Sequence, residues 1–137
     1  MIPKFRAWDK LRKRMSIVDR IYFDTEGVQL RDDGGLYWRN FRNITLMKST
    51  GLKDKNGTEI FEGDIIDTTD YEGGLSSVGN PFVKIERDKY GFVVTGDFSD
   101  SPITIKEFEA GRKFAGVEVT IVGNIYENPE LVEVIND

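Results

Sequence analysis

Two glycine-centred reversals within one short stretch constrain this chain more than any other feature. GLKDKNGTEIFEGDII (Gly51–Ile66) holds Asn56-Gly57 and then Glu62-Gly63. Asn-Gly is a strong hairpin signal, because a type I′ turn needs positive φ at both central residues and these two tolerate it best. Asp54 is placed to accept a hydrogen bond from the backbone two residues on. TEIF then reads as strand, Glu62-Gly63 as a second reversal or bulge, and Asp64 as the start of a strand DIIDTT. Asp54, Asn56, Gly57, Gly63 and Asp64 are therefore expected to be turn residues. Two turns joined by a short apolar link send the chain back across itself, as in small SH3-like barrels with glycines at the corners.

Elsewhere short β-rich runs alternate with turn residues, and helical periodicity is scarce. KFRAW (Lys4–Trp8), SIVDRIYF (Ser16–Phe23), ITLMKS (Ile44–Ser49), FVKIERD (Phe82–Asp88) and YGFVVTGDF (Tyr90–Phe98) read as strands. VEVTIVGNIY (Val117–Tyr126) is the clearest strand, with Gly123 at a bulge. DKLRKRM is expected to be a charged turn, and DTEG, RDDGG and RNFRN polar connectors. YEGGLSSVGNP (Tyr71–Pro81) reads as an exposed loop. ITIKEFEAGRKF is open between strand and a short helix lined by Ile105, Phe108 and Phe114 and ended by Gly111. Asn128 fits a helix N-cap, Pro129 the first helical position and Glu130 the first turn. The expectation is one mostly β domain over residues 1–137, with an SH3-like barrel element, additional strands and short helical turns.

Three blocks resemble the YopX family: KFRAWDK, TGLKDKNGTEIFEGDII and IVGNIYENPEL. They stand in the family's order and span nearly the whole chain. The stretches between Met15 and Thr45, and between Tyr71 and Phe82, follow no family pattern. The resemblance implies a β-rich fold with an SH3-like part and an origin in a phage or prophage genome. It implies no enzymatic activity and transfers no catalytic residue.

Composition narrows the chemistry. The chain has neither cysteine nor histidine. Disulfides, thiolate metal sites, cysteine nucleophiles and a Ser-His-Asp triad are excluded, and the commonest general base and zinc ligand are missing. No long apolar run suggests a membrane span, and the first ten residues lack an apolar signal core. A cytoplasmic protein of a bacterial host cell is expected. No cofactor is implied. An EF-hand counted from Asp54 fails, with glycine at the fourth position and Ile65 at the twelfth. Glu59, Glu62, Asp64 and Asp67 suggest a Mg²⁺-dependent nuclease, but strand alternation points Asp64 and Asp67 apart. Asp64 is instead expected to bind turn backbone, with Glu59 and Glu62 solvated.

Charge is unevenly spread. Residues 1–20 hold seven bases and two acids, a net +5; residues 21–50 hold four of each; residues 51–137 hold eight bases and eighteen acids, a net −10. Lys4, Arg6, Trp8, Lys10, Arg12, Lys13 and Arg14 form a candidate nucleic-acid contact, with cations for phosphates and an aromatic for base stacking. The bland alternative is a solvated turn that pairs with the acidic body of the chain, and it is favoured. Tyr37, Trp38, Phe61 and Tyr126 are large groups near turns or strand ends, suited either to the core or to an interface. Edge strands invite pairing with a second copy. The sequence therefore reads first as a non-enzymatic accessory protein acting through an unidentified protein partner or a homo-oligomer. A small nucleic-acid-binding protein is the alternative.

Overall fold

The computed structural model describes residues 4–69, 80–98 and 100–132. These gather into two compact units that divide between Ser49 and Thr50. Both are built of antiparallel strands, so the protein is mostly β with minor helix, as the sequence predicts. Residues 71–79, most of the expected loop, lie outside the described residues.

The first unit contains β1 (Phe5–Asp9), β2 (Arg14–Tyr22), β3 (Gly27–Asp32), β4 (Gly35–Asn40) and the start of β5 (Ile44–Lys53). Their order across the sheet is β4-β3-β2-β1-β5. One face builds a core of Ala7, Val28, Leu30 and Ile44, with Val18, Ile21, Tyr37, Phe41 and Leu46 packed on it. Val28 and Leu30 alternate with Gln29 and Arg31, the period of a strand buried on one side. The stretch 27–40, expected to hold polar connectors around short apolar pairs, is instead the β3–β4 hairpin. Asp32 pairs Gly35 across the two-residue loop Asp33-Gly34, a combination that suits tight hairpins. The expected turn at residues 9–15 is also shorter. Asp9 closes β1 and is fully buried, Arg14 opens β2, and only Lys10–Lys13 turn.

The second unit contains the rest of β5, β6 (Glu59–Phe61), β7 (Asp64–Asp67), β8 (Phe82–Asp88), β9 (Gly91–Thr95), β10 (Ile103–Thr104), α1 (Ile105–Ala115) and β11 (Thr120–Asn124). One sheet runs β10-β9-β8-β7-β11. Its core is Ile60, Ile66, Val83, Ile85, Val94, Phe108 and Val119. The ambiguous stretch 103–114 resolves by its caps. The Thr104 hydroxyl accepts the Glu107 N–H at 3.1 Å and donates to the Glu107 carboxylate at 3.0 Å, which satisfies donors at the helix start. Gly111 does not end the helix. Gly116 does, in a left-handed conformation (φ 68°), with its N–H on the Arg112 and Lys113 carbonyls. Phe108 is buried, whereas Phe114, expected beside it, is 96% exposed. Gly116→Ala is expected to cost about 1–2 kcal/mol, because a Cβ disfavours that backbone; a urea melt measures it.

The strand expected at 117–126 is shorter, because Val119 gives its carbonyl to the Lys55 N–H at 2.8 Å before β11 begins. The register shifts between Ile121 and Gly123, the bulge expected at that glycine. Pro129 opens a 3₁₀ turn, Pro129–Leu131, but Asn128 does not cap it. Its side-chain oxygen instead accepts the Asn124 N–H at 3.3 Å.

Candidate functional site

Three aspartates in and just after the central block, Asp54, Asp64 and Asp67, accept backbone N–H groups. Asp54 is buried, and its Oδ1 accepts the N–H groups of Asn56 and Thr58, each at 2.9 Å. Oδ2 accepts the Ile121 N–H at 3.1 Å, tying the hairpin to β11. The turn is not type I′, because Asn56 does not adopt positive φ. Gly57 does (φ 80°), its N–H bonds the Asp54 carbonyl, and the Asp54 N–H bonds the Thr58 carbonyl. That is the pattern of a three-residue loop with a left-handed glycine at its end. At the second reversal Gly63 has φ 90°, and Asp64 accepts the Phe61 N–H at 2.7 Å. Asp67 accepts the Thr69 N–H at 2.9 Å. Glu62, expected to be solvated, is part-buried and pairs with Arg87 at 3.2 Å. Among the described residues no three acids gather as a metal site needs.

The basic segment is likewise tied down. Arg12 reaches Asp32 at 2.8 Å, and Arg14 bonds the same carboxylate. The Lys10 ammonium bonds the Arg42 carbonyl at 3.4 Å. Behind this turn sits the buried Asp9. Its Oδ1 accepts the Leu11 and Arg12 N–H groups and Arg39 Nε, and its Oδ2 accepts the Tyr37 hydroxyl. Burial pushes the Asp9 carboxyl up. The bonds from Arg12 N–H, Arg39, Leu11 N–H and Tyr37 outweigh that and hold it below the usual carboxylate range. Arg12 and Arg39 also lie over the Tyr37 ring, at 4.3 and 4.9 Å from its centre. Tyr37 is therefore part of an internal network.

The opposite face of this sheet is open across β2, β3 and β4, whereas Met47 of β5, which pairs with Arg6, is buried. Residues paired across antiparallel strands share a face. One row runs Arg6, Ile17, Arg31, Leu36 and the next Arg20, Gln29, Trp38. Tyr22 pairs Gly27, which pairs Asn40. Ile17, Leu36 and Trp38 are 64%, 51% and 40% exposed. The Trp38 ring lies across Gly27, where an added Cβ would stand 2.1 Å from Cζ2. Tyr22 sits beside it, ring centres 5.5 Å apart. Arg31 pairs with Asp19, and Arg20 Nε is 3.9 Å from that carboxylate. A cleft of about 380 Å³ opens along this face past Met15, Ile17 and Arg31 towards Arg14 and Asp32. Arg6 and Trp8 alternate onto the same face from β1, while Lys10, Arg12 and Lys13 belong to the turn. Sequence reasoning missed this assembly, because Trp38 meets Gly27 and Tyr22 only once β3 and β4 pair. Gly27→Ala is expected to push Trp38 off the sheet, shifting its fluorescence and costing about 1–3 kcal/mol; indole emission and a thermal melt check both.

Fold and site together define a mostly β protein with minor helix, whose first unit displays an aromatic, arginine-bearing sheet face. The chain belongs to the YopX family, whose profile matches residues 4–133. It is similar to the crystal structure of protein EF1440 from Enterococcus faecalis, with 29% identity and a TM-score of 0.62, over 97% of this chain and 99% of that one. No curated protein matches it.

Proposed function

We propose that this is a non-enzymatic accessory protein of phage or prophage origin, which works in the host cytoplasm through contacts made by the open face of β2, β3 and β4. The observation that supports it is the row of exposed Ile17 and Leu36 with Trp38 and two arginines on one sheet face. Tryptophan, tyrosine, methionine and arginine are the side chains enriched where proteins make contacts. Asp54, Glu62 and Asp64 of the central block, by contrast, are spent on backbone N–H groups and an arginine. The resemblance of three sequence blocks to YopX proteins supports the phage origin.

The test is an affinity purification from host cells with wild-type protein and with Ile17→Glu plus Leu36→Glu. Both substitutions sit on exposed positions and should leave the melting temperature within a few degrees. Wild type is expected to recover a protein or nucleic acid that the double variant loses. Equal recovery by both would overturn the reading.

A further inference from the structure

We infer that the open face of β2, β3 and β4 binds single-stranded nucleic acid. The inference rests on the reading that this face is the binding surface, and it names the ligand. Trp38 is held between Gly27 beneath it and Tyr22 beside it. A ring fixed in this way stacks on a base with little further loss of side-chain freedom. Arg20 shares its row with Trp38, and Arg31 shares its row with Ile17 and Leu36. The two guanidiniums share the single carboxylate of Asp19 and remain 70% and 60% exposed, which leaves net positive charge on the face of the aromatic platform for backbone phosphates. Gln29 and Asn40 add neutral side chains that can both donate and accept at base edges.

Charge favours a polyanion over a protein. Asp19 and Asp32 are the only acids in β2, β3 and β4. Asp32 lies on the Leu30 side of β3, where Arg12 and Arg14 hold it. Asp19 pairs with the arginines of the open face, and Asp32 and Asp33 border its cleft at the β3–β4 end. Residues 1–49 carry a net +5. The face is a broad sheet surface and does not project a helix or ribbon to enter a duplex groove. Stacking on Trp38 needs unpaired bases, which selects single strands. The site differs from the basic turn in carrying the Trp38 platform and in the greater exposure of its arginines, 70% and 60% against 45% and 46% for Arg12 and Arg14 on Asp32.

The test is a fluorescence-anisotropy titration of the whole chain with a labelled oligothymidine at low and at physiological salt. Binding is expected, and expected to weaken with salt. Arg20→Gln plus Arg31→Gln should flatten the log–log salt slope by about 1.4, at roughly 0.7 per phosphate contact on a single strand. Trp38→Ala should weaken binding about tenfold, and Trp38→Phe should restore most of it. Circular dichroism should show every variant folded. Absence of binding at low salt would overturn the inference, as would binding that ignores both sets of substitutions. If Ile17→Glu plus Leu36→Glu loses a co-purifying protein while wild type binds no oligonucleotide, the ligand is wrong and the face stands. If neither is bound, both readings fall.

Discussion

Asp9→Ala is expected to destabilise the protein by about 3–5 kcal/mol, the usual cost of removing one partner from a buried ion pair. The carboxylate is fully buried and accepts four hydrogen bonds, from two backbone N–H groups, Arg39 and Tyr37. Removing it leaves the part-buried Arg39 guanidinium (19% exposed) without its counter-charge. It also frees the Tyr37 hydroxyl, which keeps only its 2.7 Å contact with Ser16. Asp9→Asn preserves shape but not charge, and should lose less. The pH dependence has a definite sign. Asp9 is held below its usual pKa in the folded state, so the unfolded chain binds more protons as acid is added. Its contribution is complete above the unfolded value of about 3.9 and disappears as pH falls through the folded one. Urea melts of wild type and Asp9→Asn across that window should converge towards the acid end. Parallel curves would show that the carboxylate does not titrate with folding.

Asp54→Ala is expected to cost about 2–4 kcal/mol, because three backbone N–H groups lose their acceptor at once and buried orphans cost about 1–3 kcal/mol each. Those of Asn56 and Thr58 lie in the exposed hairpin and can turn to water, whereas that of Ile121 lies in β11. Amide exchange should therefore accelerate most at Ile121. Gly57→Ala gives a comparison of another origin. No atom stands within 4 Å of its added Cβ, so its expected loss of about 1–2 kcal/mol is backbone strain alone. A loss below 0.5 kcal/mol for Asp54→Ala, about the level of an ordinary surface change, would mean that the carboxylate does not hold the hairpin to β11.

Local signals were legible where they decide structure locally. Alternation in Phe82–Asp88 marks β8, and Gly123 marks the bulge in β11. The reversals at Gly57 and Gly63 are where the glycines put them, though Asn56 keeps an ordinary backbone and the left-handed residue is Gly57. β3 and β4 were hidden because glycines, aspartates and asparagines crowd Asp24–Asn43 and outweigh the short Val28–Leu30 alternation. The Asp33-Gly34 hairpin was the signal that could have found them. Asp9 looked like a turn residue because its partners Tyr37 and Arg39 lie some thirty positions away. For the same reason the partner of the basic segment was misplaced: the acidic body was expected, and Asp32 reaches it across the β2–β3 pairing. The open face of β2, β3 and β4 was the least legible part, since its rows exist only through long-range register.

We propose a division of labour: the central block builds the second unit, and the open face of the first makes the contacts. Amide and indole shifts of isotope-labelled protein titrated with oligothymidine test this most directly. The predicted shifts fall on Ile17, Arg20, Gln29, Arg31 and the Trp38 indole, and leave Asp54–Asp64 still. Shifts centred on Asn56–Asp64, or none anywhere, would contradict the account.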